Sequence, residues 1–260
     1  MGRLILVSSL FVALVFVACQ ETEEGCLDLL SNNFNFEAVS ECDSCCVYPD
    51  VTLNFRVDYD TVLSRGLLDT FPLDNLDSLF LHDIQLAMGG FTFGSPDGPF
   101  RILDSLQVGD TFIKDDFVLA EVQIPYNIGE VRFAGQVDMI NFSVGIDASE
   151  VASFGNLDNI NQDSRLDNLL DSMYVADREE VALLRMNLQL KDSIRQLIIS
   201  APDALDFSFP LDRFTELGED FSFNLRIDLK ILTEDLSIEL SNDEIEAMIF
   251  DKIVSSITIE

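Results

Sequence analysis

Val51-Thr-Leu-Asn-Phe-Arg-Val-Asp-Tyr59 alternates without a break: Val51, Leu53, Phe55, Val57 and Tyr59 fall on one side, Thr52, Asn54, Arg56 and Asp58 on the other. A period of two sends successive side chains to opposite faces of an extended chain, so this stretch reads as a strand with one buried face. The same pattern returns late, where Phe221, Phe223, Leu225, Ile227, Leu229 and Ile231 alternate with Ser222, Asn224, Arg226, Asp228 and Lys230. Between the two, Phe80, His82, Ile84, Leu86 and Met88 form a third apolar set, ahead of a run from Gly89-Gly90 to Ser95-Pro96-Asp97-Gly98 that reads as turn. Further strands are expected over 117–124, 136–144, 181–190 and 193–199, and the Asn- and Asp-rich residues 156–173 read as a long loop containing a short helix. Ser241 and Glu244 have capping-box spacing, with Ile245, Met248, Ile249 and Ile253 on one helical face behind them. Many strands, turn signals between them and little helix predict an all-β fold: a β-sandwich, Ig-like or jelly-roll-like, with a short C-terminal helix, over residues 50–260.

Residues 26–49 form a separate unit that holds every cysteine but one. In an oxidising compartment Cys26, Cys42, Cys45 and Cys46 read as two disulfides. Bonding between the neighbours Cys45 and Cys46 is geometrically disfavoured, which leaves Cys26 with Cys45 or Cys46 and Cys42 with the other. Cys42-x-x-Cys45 also has zinc-ligand spacing, but no second pair of that kind exists. Gly25-Cys26-Leu27-Asp28, Asn33-Phe34 and Cys46-Val47-Tyr48-Pro49 resemble a short module of secreted Bacteroidota proteins. A unit this small depends on its crosslinks and reads as a stapled spacer.

The compartment follows from the first nineteen residues. Arg3 precedes an uncharged run from Leu4 to Ala18 that is shorter than the roughly 20 residues of a membrane span, the signature of a secretory leader. Phe16-Val17-Ala18-Cys19 resembles the lipobox of bacterial lipoproteins, which implies lipidation of Cys19 and its release as the new N-terminus. One acyl chain binds a bilayer marginally and two or more bind stably, at about 0.8 kcal/mol per buried methylene. The acidic tether 20–25 that follows resembles the outer-face export signal of Bacteroidota lipoproteins, so an outer-membrane lipoprotein, periplasmic or surface-exposed, is expected.

Loss of the leader removes Arg3 and no acid, leaving 14 basic residues against 47 acidic ones and a net charge of −33. Nucleic acid is excluded as a partner, since binding it needs a cationic footprint. An anionic lipid surface is repelled as well, so the expected membrane attachment is through the lipid on Cys19 alone. The remaining partners to expect are an envelope protein or a metal ion.

The order of features from Tyr48-Pro49 onward is similar to that of the MbnP-like domain, an all-β family of periplasmic proteins and lipoproteins. The likeness covers the strand at 51–59, a second at 79–88, the run 131–144 into Val144-Gly145-Ile146-Asp147, then Met173-Tyr174 and paired strands. It implies a β-sandwich, copper as the bound metal and no enzymatic activity. Family members carry aromatic residues, Trp in particular, after the Met-Tyr pair, with a His nearby. Here Val175 and Ala176 follow and the chain has no Trp, so no copper ligand is carried across.

The residues offer little catalytic machinery. His82 is the only imidazole, and is expected on an apolar strand face as a core histidine, with a metal ligand the weaker reading. Met88 and Met173 read as core. Asp158, Asn159, Asn161, Asp163 and Asp167 have no calcium-loop spacing and lack its central glycine. No nucleophile elbow, zinc-protease motif or phosphate loop occurs. An envelope hydrolase built on paired acids is the competing class. Asp60-Thr-Val, Asp77-Ser-Leu, Asp104-Ser-Leu, Asp171-Ser-Met and Asp192-Ser-Ile resemble the Bacteroidota O-glycosylation triplet.

Overall fold

A computed structural model describes residues 23–42, 44–59, 62–63, 70–73, 78–108, 111–122, 124–154, 160–162, 164–237 and 239–260. The leader with Cys19, Asp158, Asn159 and Asp163, and the triplets beginning at Asp60 and Asp77 lie wholly or partly outside them. The main strands are β1 (Asp50–Tyr59), β2 (Ser78–Gly94), β3 (Val118–Glu121), β4 (Pro125–Glu130), β5 (Gly135–Val144), β6 (Glu180–Leu190), β7 (Ser193–Ser200), β8 (Leu205–Thr215), β9 (Phe221–Asp228) and β10 (Ile257–Ile259). Among the described residues four helices, α1 (Ala148–Ser153), α2 (Arg165–Met173), α3 (Leu229–Thr233) and α4 (Asn242–Ser256), complete the fold.

The two stretches with the cleanest alternation lie side by side. β1 and β9 pair in parallel, Val51 with Phe221 through to Asp58 with Asp228, with β4 and β10 on the outer edges. Val51, Leu53, Phe55 and Val57 turn inward and are buried, as are Phe221, Phe223, Leu225 and Ile227. Each such burial is worth about 1.5–3 kcal/mol as an upper estimate, which is why the period-two pattern dictates the strand.

The second, larger sheet is organised on β2, a strand of 17 residues. Leu86 lies between Ala120 of β3 and Leu184 of β6, and Met88 between Val118 of β3 and Val144 of β5. Hence β6 and β5 share one edge of β2 in tandem, with β3 on the other. β7 extends the sheet beyond β6 and β8 beyond β5. Inward side chains of both sheets meet in one core, closed by Leu229 and Leu232 of α3 and Ile245, Ile249 and Ile253 of α4. The outer face of the large sheet carries a second core, where Ala87, Val181 and Ala182 meet Leu166, Leu169, Leu170 and Met173 of α2 and Val151 of α1. The β-sandwich with its C-terminal helix is thus the observed architecture, and Ser241 and Glu244 make the capping box as expected.

Three expectations are corrected. β2 does not stop at Met88, and its apolar set is not Phe80-to-Met88. Leu81 pairs with Leu188 but Asp83 with Asn187, so His82 is an extra residue on β2, a β-bulge. A one-residue slip swaps the faces, so Leu79 and Leu81 point inward before it and Ile84, Leu86 and Met88 after it. A second bulge follows at Gly89–Thr92, where Ser143 pairs with Gly89 and Asn141 with Thr92, and it returns Phe91 and Phe93 to the core. Only Ser95 to Gly98 is the turn, which leads to Phe100–Arg101 back along β2. The late strand also ends early: Asp228 accepts the N–H groups of Lys230 and Ile231 and caps α3, so Leu229 and Ile231 are helical. β8 was hidden by Pro210, which the sheet tolerates because β8 is an edge strand with a bulge next to the Met139–Pro210 pair.

The cysteine module packs against the end of the sandwich where β1 and β9 begin. Cys26 is bonded to Cys46 and Cys42 to Cys45, with Cα separations of 5.0 and 5.7 Å. Glu24–Gly25 pairs in parallel with Ser40–Glu41, so the module begins ahead of Cys26. Asp28 accepts from Tyr48 at 2.9 Å and ion-pairs with Arg132, while the Val131 N–H donates to the Pro49 carbonyl at 2.9 Å.

Candidate functional site

The second bulge of β2 opens a cleft of about 340 Å³, lined by Gly89 to Thr92, Arg101, Lys114, Asp116, Ser143, Gly145 to Asp147 and Glu150, among others. Its floor is backbone. Gly90 takes φ +67°, a left-handed conformation that costs a non-glycine residue about 1–2 kcal/mol, and it is this turn of the chain that lifts the strand out of register. Asp116, from the segment before β3, is only 5% exposed. Its Oδ2 accepts the Phe91 N–H at 2.7 Å, satisfying a donor that the bulge removes from the ladder. Burial pushes the Asp116 carboxyl above its ordinary range, against the lowering effect of the Phe91 and Gly90 N–H groups.

The opposite wall begins where β5 leaves the sheet. The Gly145 N–H donates to the Ala87 carbonyl at 2.9 Å, at the junction where β5 and β6 meet along β2. Gly145 has φ +87°, and a Cβ there would sit 2.2 Å from Leu183 Cδ2. That tight turn delivers Asp147, whose Oδ1 accepts the Ala204 N–H at 2.7 Å, and α1 with Glu150. The Glu150 carboxyl is pushed up by burial first and by the Asp147 and Asp116 carboxylates second. Two cations complete the lining: Arg101, next to Phe100 on the strand that returns along β2, and Lys114, whose Nζ is 3.4 Å from the Leu103 carbonyl.

A second cleft of about 300 Å³ lies between β3 and α2, with Tyr126 and Arg165 in its wall. Arg165 is already ion-paired with Asp104 at 2.7 Å, and the Tyr126 hydroxyl accepts the Glu121 N–H and is pushed up to about 12 by burial. Arg165 is the one cation in its lining and is already neutralised, whereas the bulge cleft sets two cations among three acids, which makes it the better candidate.

The residues singled out from sequence do not converge. His82 stands on the exposed side of β2, 3.2 Å from Gln189 Oε1 and edge-on to Phe80, rather than on an apolar face; its bulge put it there. Met88 and Met173 are both fully buried, on opposite faces of the large sheet. Asn161 is exposed, and Asp167 serves the first turn of α2, its N–H donating to Ser164 Oγ at 3.1 Å. Among the described residues no group of three His, Cys, Asp or Glu side chains is placed to hold a metal ion. Of the glycosylation-like triplets, Asp104 is taken by Arg165, Asp171-Ser172 lies within α2, and Asp192-Ser193 occupies the hairpin between β6 and β7. Sequence reasoning missed Asp116, Arg101 and Lys114. The available signal was Gly89-Gly90 inside an apolar run, which marks a bulge as well as a turn.

No protein family matches the chain, and no curated protein matches its sequence. Among solved structures, MbnP from Methylosinus trichosporium is similar, at 11% identity over 71% of this chain and 77% of that one, with a TM-score of 0.42.

Proposed function

We propose that the protein is a non-enzymatic, lipid-anchored binding protein of the cell envelope, MbnP-like in its sandwich, that takes its ligand in the cleft at the β2 bulge. The leader and Phe16-Val17-Ala18-Cys19 support the anchor, and the acidic tether 20–25 supports an outer-membrane placement. The observation that carries the binding reading is the composition of the cleft. It sets Arg101 and Lys114 with Asp116, Asp147 and Glu150, and includes Gly145-Ile146-Asp147, part of the segment on which the family resemblance rests. Walls of both signs suit a small ligand that carries both, such as a free amino acid or the end of a short peptide.

Catalysis fits less well. Of the hydroxyls in the cleft, Ser143 donates to Asp206 at 2.7 Å and Thr92 accepts from Asn141 at 3.3 Å, and the one imidazole lies seven residues along β2, about 23 Å away. Copper, which the resemblance implies, finds neither histidine nor methionine in this lining. Thermal unfolding of the mature protein should shift upward with free amino acids or short peptides. Tight stoichiometric copper after titration would replace that ligand with the metal, and hydrolysis in a screen of glycans and esters would overturn the non-enzymatic reading. Mass spectrometry of the mature N-terminus should show acyl groups on Cys19.

A further inference from the structure

We infer that the cysteine module is a membrane-docking face, which lays its exposed apolar side chains on the bilayer that holds Cys19; this rests on the anchoring reading above. The module is unusually greasy for a surface. Leu27, Leu29, Phe34, Phe36, Val39 and Val47 are six of the fifteen exposed large hydrophobic side chains among the described residues, although the module is about a tenth of the chain. Phe36 is 80% exposed, Val39 73% and Leu29 59%. A 27-residue unit held by two disulfides has no need to leave such side chains in water, and so many exposed apolar side chains on one small unit mark contact with something apolar.

Chain length says what that is. Three residues separate Cys19 from Glu23, where the described module begins, and the four chain steps between them, fully extended, reach about 14 Å. With Cys19 fixed at the headgroups, the module cannot leave the interfacial layer, whereas the sandwich is free to project away from it. The fold agrees with this polarity. Phe93, near the end of β2, meets Phe221 edge to face with centroids 5.3 Å apart, beside the Asp220 that accepts the Asp50 N–H at 2.9 Å where the module joins. The other end of β2 pairs with Leu190 at the β6–β7 hairpin, about 45 Å away along the strand.

Charge selects the lipid. Residues 23–49 contain six acids and no Lys or Arg, so an anionic surface repels the module, and apolar insertion into a zwitterionic interface is the contact left to it.

The chain has no Trp, so one introduced Trp reports its own surroundings. Phe36→Trp and, as a control, Ile194→Trp on the distal hairpin change exposed residues and leave the core untouched. Each acylated full-length protein is reconstituted into phosphatidylcholine vesicles whose acyl chains carry bromine. The expected result is blue-shifted emission and bromine quenching for Phe36→Trp, unaffected by high salt, with neither effect for Ile194→Trp. An unquenched Trp at position 36 in protein whose Cys19 is acylated by mass spectrometry overturns the docking face alone, and self-association of that protein in solution would assign the patch to a second copy instead. Absence of acyl groups on Cys19 overturns the anchoring reading and the tether argument with it.

Discussion

The main-chain N–H of Phe91 donates to Asp116 Oδ2 at 2.7 Å, so a buried carboxylate from another segment holds the bulge that opens the cleft. Asn at position 116 keeps an oxygen acceptor there and Ala does not. Asp116→Ala should cost about 1–3 kcal/mol, the penalty of an unsatisfied buried donor, and Asp116→Asn distinctly less. Chemical denaturation of the two variants checks the order.

The same residue gives a pH dependence of known sign. Because burial raises its pKa in the folded state, the folded chain holds this proton more tightly than the unfolded chain does. Its contribution to stability is therefore fullest at acid pH and falls as pH rises from the ordinary carboxylate value through the raised one. The difference in melting temperature between wild type and Asp116→Asn, followed across that window, should shift in favour of the Asn variant as pH rises.

Gly145 is required twice over, by φ +87° and by a Cβ position 2.2 Å from Leu183 Cδ2. Gly145→Ala should destabilise by about 2–5 kcal/mol, the sum of left-handed strain and overpacking. Adding Leu183→Ala relieves only the clash, so the double variant should still carry the strain, together with the cavity that Leu183 leaves. A double-mutant cycle on denaturation midpoints separates the two contributions.

Asp58 of β1, 2% exposed, is ion-paired with Arg226 of β9 across the parallel ladder, and Arg226 also reaches Glu260 at the C-terminus. Asp58 Oδ1 has no hydrogen-bond partner, so the carboxylate relies on Arg226. Arg226→Leu should cost about 3–5 kcal/mol by leaving a buried charge uncompensated, and Asp58→Leu/Arg226→Leu should recover much of it. Urea unfolding of the single and double variants tests this.

Cys26–Cys46 closes a loop of 20 residues, worth about 3 kcal/mol in the unfolded-chain model. No described side chain of the module belongs to the sandwich core. Cys26→Ala/Cys46→Ala should therefore raise amide exchange in residues 23–49 and leave the protection of β1, β2 and β9 unchanged.

The strands β1 and β9 were legible from residues alone because their inward sets alternate without interruption. β2 was not, since two extra residues reverse its faces and make an unbroken 17-residue strand look like a short strand followed by a turn. His82 was misplaced for that reason: its neighbours in sequence predict an apolar face, while its partner strand makes it the bulge. The cleft was illegible for a related reason, since Arg101, Lys114, Asp116 and Asp147 come from separate segments and acquire a common address only through β2.

The sequence by itself determined the all-β class, the inward faces of the regular strands and the capped C-terminal helix, because period and capping are decided between residues a few positions apart. It also narrowed the cysteine pairing to two choices. Tertiary structure alone decided which of those pairings forms, that β1 and β9 run in parallel, where β2 slips, and that Asp116 meets Phe91. Each of these depends on contacts between residues far apart in the chain, whose energies carry no local trace in the order of amino acids.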